Sequence, residues 1–89
     1  MRRVGQVRRR DTVEASIVEA LQSLGAVVIP ISGKGAPDLL VVFRGKLWAA
    51  EIKTGKGTLT KAQTTAGAGT LWPIWRTVTD AFTALGVDA

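Results

Sequence analysis

The chain has 89 residues, 46% of them hydrophobic, with twelve basic against seven acidic side chains and a formal net charge of +5. That length builds one domain around a single modest core, and the composition is that of a folding chain. With no cysteine and no histidine, disulfides, thiolate metal sites and imidazole chemistry are excluded, so any metal must be a hard cation on oxygen ligands such as Mg²⁺, Mn²⁺ or Ca²⁺.

No apolar run approaches the roughly 20 residues of a membrane span. The arginine-rich start is not followed by the apolar segment of a signal peptide, so no membrane partner is expected and the expected location is the cytoplasm. The positive charge is unevenly placed. Residues 1–10 carry Arg2, Arg3, Arg8, Arg9 and Arg10 and no acid, while residues 11–89 hold seven basic and seven acidic side chains. This divides the chain into a basic, flexible arm (1–10) and one folded domain (11–89). Within the domain, residues 34–61 carry six basic side chains against only Asp38 and Glu51. Such a distribution suits a polyanion, most simply DNA, with Arg8, Arg9, Arg10, Lys34, Lys56 and Lys61 as candidate contacts. A solvated tail and surface would have the same composition.

Residues 11–24 read as a helix, with Asp11 or Thr12 as N-cap and Gly25 just past the end. At about 100° per residue, Glu14 falls within the apolar stripe of Val18 and Leu21, and Glu19 falls opposite. Glu14 also stands three residues after Asp11, the spacing of a capping box. Residues 26–31, AVVIPI, read as a strand that Pro30 confines to an edge or an end. The loop SGKGAP follows. It lacks the P-loop spacing, so no nucleotide cofactor is expected.

Residues 38–43 and 46–53 read as two strands joined by a two-residue turn at Arg44 and Gly45. Placing Phe43 opposite Lys46 sets Val42 against Leu47, Leu40 against Ala49 and Asp38 against Glu51. Alternation then puts Asp38, Glu51 and Lys53 on one face. Opposed carboxylates repel by roughly 0.2–1 kcal/mol, and a divalent cation between them reverses that sign. A short helix over 60–68 begins with the capping box Thr60-x-x-Gln63. A strand at 71–76, limited by Pro73, and a helix over 77–85, capped by Thr77 or Thr79 and closed by Gly86, complete the chain. The order α-β-β-β-α-β-α predicts an α/β (α+β) domain with a mixed central sheet flanked by helices. Trp48, Trp72 and Trp75 are core or interface residues, with the core favoured for Trp48, which alternates away from the acids.

Pro37-Asp38, twelve further residues and then Glu51-Ile52-Lys53 form the pattern of the PD-(D/E)xK nucleases. Together with inward Glu14, Gly35-x-Pro37-Asp38 and Leu59-Thr60-x-x-Gln63, the set resembles the VRR-NUC group of that superfamily over about residues 12–85. The resemblance implies a restriction-endonuclease-like αβββαβ core and Mg²⁺- or Mn²⁺-dependent hydrolysis of DNA phosphodiester bonds. On that basis Asp38, Glu51 and the Ile52 backbone carbonyl bind the metal, and Glu14 completes the site or holds a water. Lys53 orients the attacking water and stabilises the transition state, and Gln63 positions Lys53 or the phosphate. Small stand-alone members, often from phages, are associated with homodimers and with branched DNA such as Holliday junctions. A bacterial or phage-infected cytoplasm is the corresponding expectation. The glycine-rich TTAGAGT after Gln63 departs from the apolar helix of the pattern. The competing reading is a non-catalytic DNA-binding module with a nuclease-like fold, against which stand acids that would repel phosphate without a metal.

Overall fold

The computed structural model describes residues 12–87, which form seven elements in the expected order. These are α1 (Thr12–Ser23), β1 (Val27–Pro30), β2 (Leu39–Phe43), β3 (Lys46–Ile52), α2 (Lys61–Ala66), β4 (Ile74–Trp75) and α3 (Val78–Leu85). The four strands make one mixed sheet in the order β1-β2-β3-β4. The first three are antiparallel neighbours, and β4 runs parallel to β3. A parallel partner needs a crossover, and α2 lies within it. The fold is therefore α+β with a mixed sheet and helices. Asp11 and the basic arm, with Arg8, Arg9 and Arg10, lie outside the described residues. Among the described residues no helix is long and apolar enough to cross a membrane.

Local chemistry accounts for most element ends. Arg44 (φ 52°) and Gly45 (φ 79°) both adopt positive φ, the geometry of a type I′ turn, whose twist matches that of the flanking strands. It sets Phe43 against Lys46, Val42 against Leu47 and Leu40 against Ala49, as expected. Pro30 sits at the end of edge strand β1, where a missing N–H costs no ladder bond. Both later helices open with reciprocal capping boxes, Thr60 with Gln63 and Thr77 with Asp80. Of the two caps considered for α3, Thr77 is the one used. Gly86 closes α3 in the left-handed conformation.

Two expected elements are shorter than anticipated. Helix α2 ends at Ala66, with Gly67 at φ 128° as its C-cap, because the glycine-rich segment behind it cannot extend the helix at low cost. Strand β4 is only Ile74–Trp75, since Pro73 has no N–H to add to the ladder.

The core lies between one face of the sheet and the helices α1 and α3. Leu39 and Val41 of β2, Ala50 and Ile52 of β3 and Trp75 of β4 meet Ile17 and Leu21 of α1 and Ala81 and Leu85 of α3. Trp75 is 1% exposed, and Trp48 packs against this core from the same side. The opposite face has a graded composition. Val27, Val42 and Leu47 form one cross-strand row and Ile29, Leu40 and Ala49 the next. Ile31 N–H donates to Asp38 O (2.8 Å), which keeps the β1–β2 register, but Asp38 N–H donates to Ala50 O (3.0 Å), the residue already paired with Leu39. The β2–β3 pairing therefore ends in a bulge, and Asp38 is not set directly opposite Glu51 as expected. By alternation Glu51 follows Leu47 and Ala49 on this face. One sheet face is thus apolar at its hairpin end and acidic at the other.

Candidate active site

Asp38 precedes β2, where Pro37 favours extended backbone on its N-terminal side. Its carboxylate is held from across the sheet: Ile52 N–H donates to Asp38 Oδ2 at 2.8 Å. In a strand the N–H and C=O of one residue point to the same side, so the Ile52 carbonyl also faces Asp38. Glu51 is fixed from the other side, its N–H donating to Pro73 O at 2.9 Å. The next alternation, Lys53 N–H to Trp75 O (3.2 Å), extends the parallel pairing past the end of β3.

Glu51 is the chemical centre of the region. It is fully buried. Gln63 Nε2 donates to its Oε2 at 2.8 Å, whereas Oε1 is buried with no hydrogen-bond partner. Burial pushes the Glu51 carboxyl up from 4.5 to about 7, because desolvation disfavours the charged form. Asp38 raises it further, by its charge and as acceptor of the proton that Glu51 then carries, while Lys53 opposes the shift. The indole N–H of Trp72 also acts against the rise from nearby. It stands outside hydrogen-bonding geometry, however, and Trp72 Nε1 is itself buried without a partner.

Gln63 serves two purposes at once. Its backbone N–H donates to Thr60 Oγ1 (3.1 Å), and its Oε1 accepts from Thr60 N–H (2.9 Å). With the amide oxygen turned toward Thr60, the amide nitrogen is aimed at Glu51. The capping box and the site residue are one side chain. The contact that its amide nitrogen makes in the structure is with Glu51.

The segment before β2, the end of β3 and α2 thus bring together Asp38, Glu51, the Ile52 backbone, Lys53 and Gln63. Glu14 lies on the inward stripe of α1, 9% exposed, and Glu19 faces outward, as the helical phase predicts. Among the described residues no three acids gather in a group placed to hold an ion. Trp72 was the residue missed. It reaches Glu51 because the turns after α2 return the chain to the parallel edge of β3, and no pattern in the sequence marks that return. The loop after Lys53 is tied down by Arg76, whose guanidinium donates to Gly55 O at 2.8 Å. Lys34, Lys56 and Lys61 are all exposed.

Gly35 explains the glycine of the GxPD stretch. It has φ 79°, and a Cβ there would stand 2.9 Å from the Ala62 carbonyl oxygen. The loop that delivers Asp38 thus packs directly on α2, the helix that delivers Gln63.

Compared with family models, curated proteins and solved structures, the chain matches none.

Proposed function

We propose that the protein is a metal-dependent endodeoxyribonuclease that hydrolyses phosphodiester bonds in branched or structured DNA such as four-way junctions, on a restriction-endonuclease-like αβββαβ core. The observation that carries this reading is the placement of Asp38 and Glu51 at one end of an otherwise apolar sheet face. There Glu51 Oε1 is buried and unpartnered, and Lys53 is close enough to act on the Glu51 charge.

The donor set fits Mg²⁺ or Mn²⁺. Two carboxylates and a backbone carbonyl are hard oxygen ligands, and Mg²⁺ is commonly held by one or two carboxylates, waters and substrate phosphates. A third acid is not required. Asp38, Glu51 and the Ile52 carbonyl would hold the ion, and Glu51 Oε1 would gain the partner it lacks. A bound cation supplies charge neutralisation at the phosphate and lowers the pKa of the attacking water. The chain's own residues do the rest. The Ile52 N–H fixes the Asp38 carboxylate, and Gln63 fixes that of Glu51, so neither reorganises when substrate arrives. The Lys53 ammonium stabilises negative charge developing on the phosphoryl oxygens and orients the attacking water.

The uncovered rows on the same face support a homodimer. Val27, Ile29, Val42 and Leu47 are 56%, 46%, 37% and 65% exposed, an apolar patch on the order of 300–400 Å², within the range of the largest patch on an ordinary monomer, which is often functional. The patch begins at Ile29, two residues or about 7 Å along the strand from Ile31 and Asp38, and runs to the hairpin end. A second copy seated there places two active sites on one particle, which suits cutting two strands.

The test is a cleavage panel of linear, flapped and four-way-junction DNA with Mg²⁺ or Mn²⁺ and with EDTA. Metal-dependent cutting is expected, with Asp38→Ala and Lys53→Ala abolishing cleavage while DNA binding remains. Equal cutting in EDTA refutes the metal mechanism. Binding without any cutting favours the non-catalytic module.

A further inference from the structure

A groove of about 860 Å³ opens between the loop at residues 33–35 and α2. Lys34 stands on the loop wall and Lys61 on the helix wall, with Thr60, Gln63 and Thr65 along the floor and rim. No acidic and no aromatic side chain lines it. It reaches the site through Gln63, whose Nε2 bonds Glu51. The two walls are fixed to one another, because Gly35 packs against the Ala62 carbonyl at a distance that leaves no room for a Cβ.

Each feature restricts the occupant. A pocket this large falls near the upper end of the roughly 300–1,000 Å³ usual for ligand sites. Two ammonium groups without a carboxylate call for an anion. Hydroxyl, amide and ammonium donors are the groups that contact phosphate and sugar, whereas stacking of bases requires aromatic faces, which this groove lacks.

We infer that the sugar–phosphate backbone of the substrate strand, beside the phosphate that is cut, lies in this groove, with Lys34 and Lys61 as its phosphate contacts. The inference takes its polymer from the nuclease reading and adds where the strand runs and how it is recognised. Recognition there is by backbone charge alone, so it is indifferent to base sequence. Gln63 links the two regions, holding Glu51 with one amide hydrogen while the other remains for a phosphate oxygen.

The experiment measures binding of a fluorescein-labelled mixed-sequence duplex by anisotropy over a salt series, in Ca²⁺ to limit cleavage. Each lost phosphate contact lowers the slope of log K against log salt by about 0.9. The Lys34→Gln/Lys61→Gln protein should therefore lose about 1.8 in slope and bind tens of fold more weakly at 0.1 M salt. Arg44→Gln/Lys46→Gln, which removes the same charge at the hairpin turn, should leave the slope unchanged. Thr65→Glu, an exposed position on the groove, should weaken binding with both lysines in place, and melting curves confirm that each variant is folded. The inference is overturned if the groove pair matches wild type, if the hairpin pair loses as much slope as the groove pair, or if Thr65→Glu binds normally. Wild-type binding that depends on the groove lysines, without cleavage in Mg²⁺ or Mn²⁺, upholds the groove and refutes the nuclease reading. Cleavage with an unchanged slope does the reverse, and failure of the wild type to bind DNA refutes both.

Discussion

Replacing Glu51 with glutamine should remove a pH dependence that the wild-type fold carries. The Glu51 carboxyl is raised from 4.5 to about 7 by burial and by Asp38. The native state then binds this proton more tightly than the unfolded chain does. The stability that this group contributes is full below about pH 4.5, falls as pH rises, and is lost above about pH 7. At about 1.4 kcal/mol per pKa unit the loss is about 3 kcal/mol, or roughly 10–20 °C in Tm for a domain of this size. The chain has no histidine, so no side chain of ordinary pKa titrates between pH 5 and 7. Thermal melts in EDTA across that interval should show wild type falling and Glu51→Gln nearly flat. The amide cannot ionise and still offers an oxygen to Gln63 Nε2. Mg²⁺ or Mn²⁺ competes with the proton, so metal should raise the wild-type Tm more at pH 7.5 than at pH 5.5, and should do little for the variant. A Glu51→Gln protein with the wild-type slope would refute the assignment of that slope to this carboxyl.

Three further outcomes follow from the geometry. Gln63→Ala removes a cap contact and the donor to Glu51, and urea unfolding should record a loss of about 2 kcal/mol. Gln63→Glu keeps an acceptor for Thr60 but sets a carboxylate against Glu51, so its loss should be larger at pH 8 than at pH 5; equal losses would remove Gln63 from the site. Light scattering should find wild type dimeric and Val42→Asp/Leu47→Asp monomeric, with unchanged circular dichroism; a monomeric wild type at tens of micromolar would exclude the sheet-face dimer.

The parts of this protein that were legible in the sequence are those decided by a few neighbouring residues. A two-residue turn leaves one register, so Arg44 and Gly45 were enough to pair β2 with β3 from Phe43–Lys46 to Leu39–Ala50, whereas the bulge that ends this pairing at Asp38 was visible only in the structure. Helical phase alone sent Glu14 inward and Glu19 outward, and the spacing Thr60-x-x-Gln63 specified one helix start, whereas the choice of Thr77 over Thr79 for the last helix came from the structure. The tertiary structure decided what depends on segments distant in the chain. The crossover through α2 set β4 parallel to β3 and carried Trp72 to Glu51. The approach of Gly35 to Ala62 closed one groove wall on the other. Packing of α1 and α3 on a single sheet face left Val27, Ile29, Val42 and Leu47 uncovered on the face that carries the acids. The same strand alternation would have served with either face covered, because pattern states which residues share a face and only packing states what lies on it.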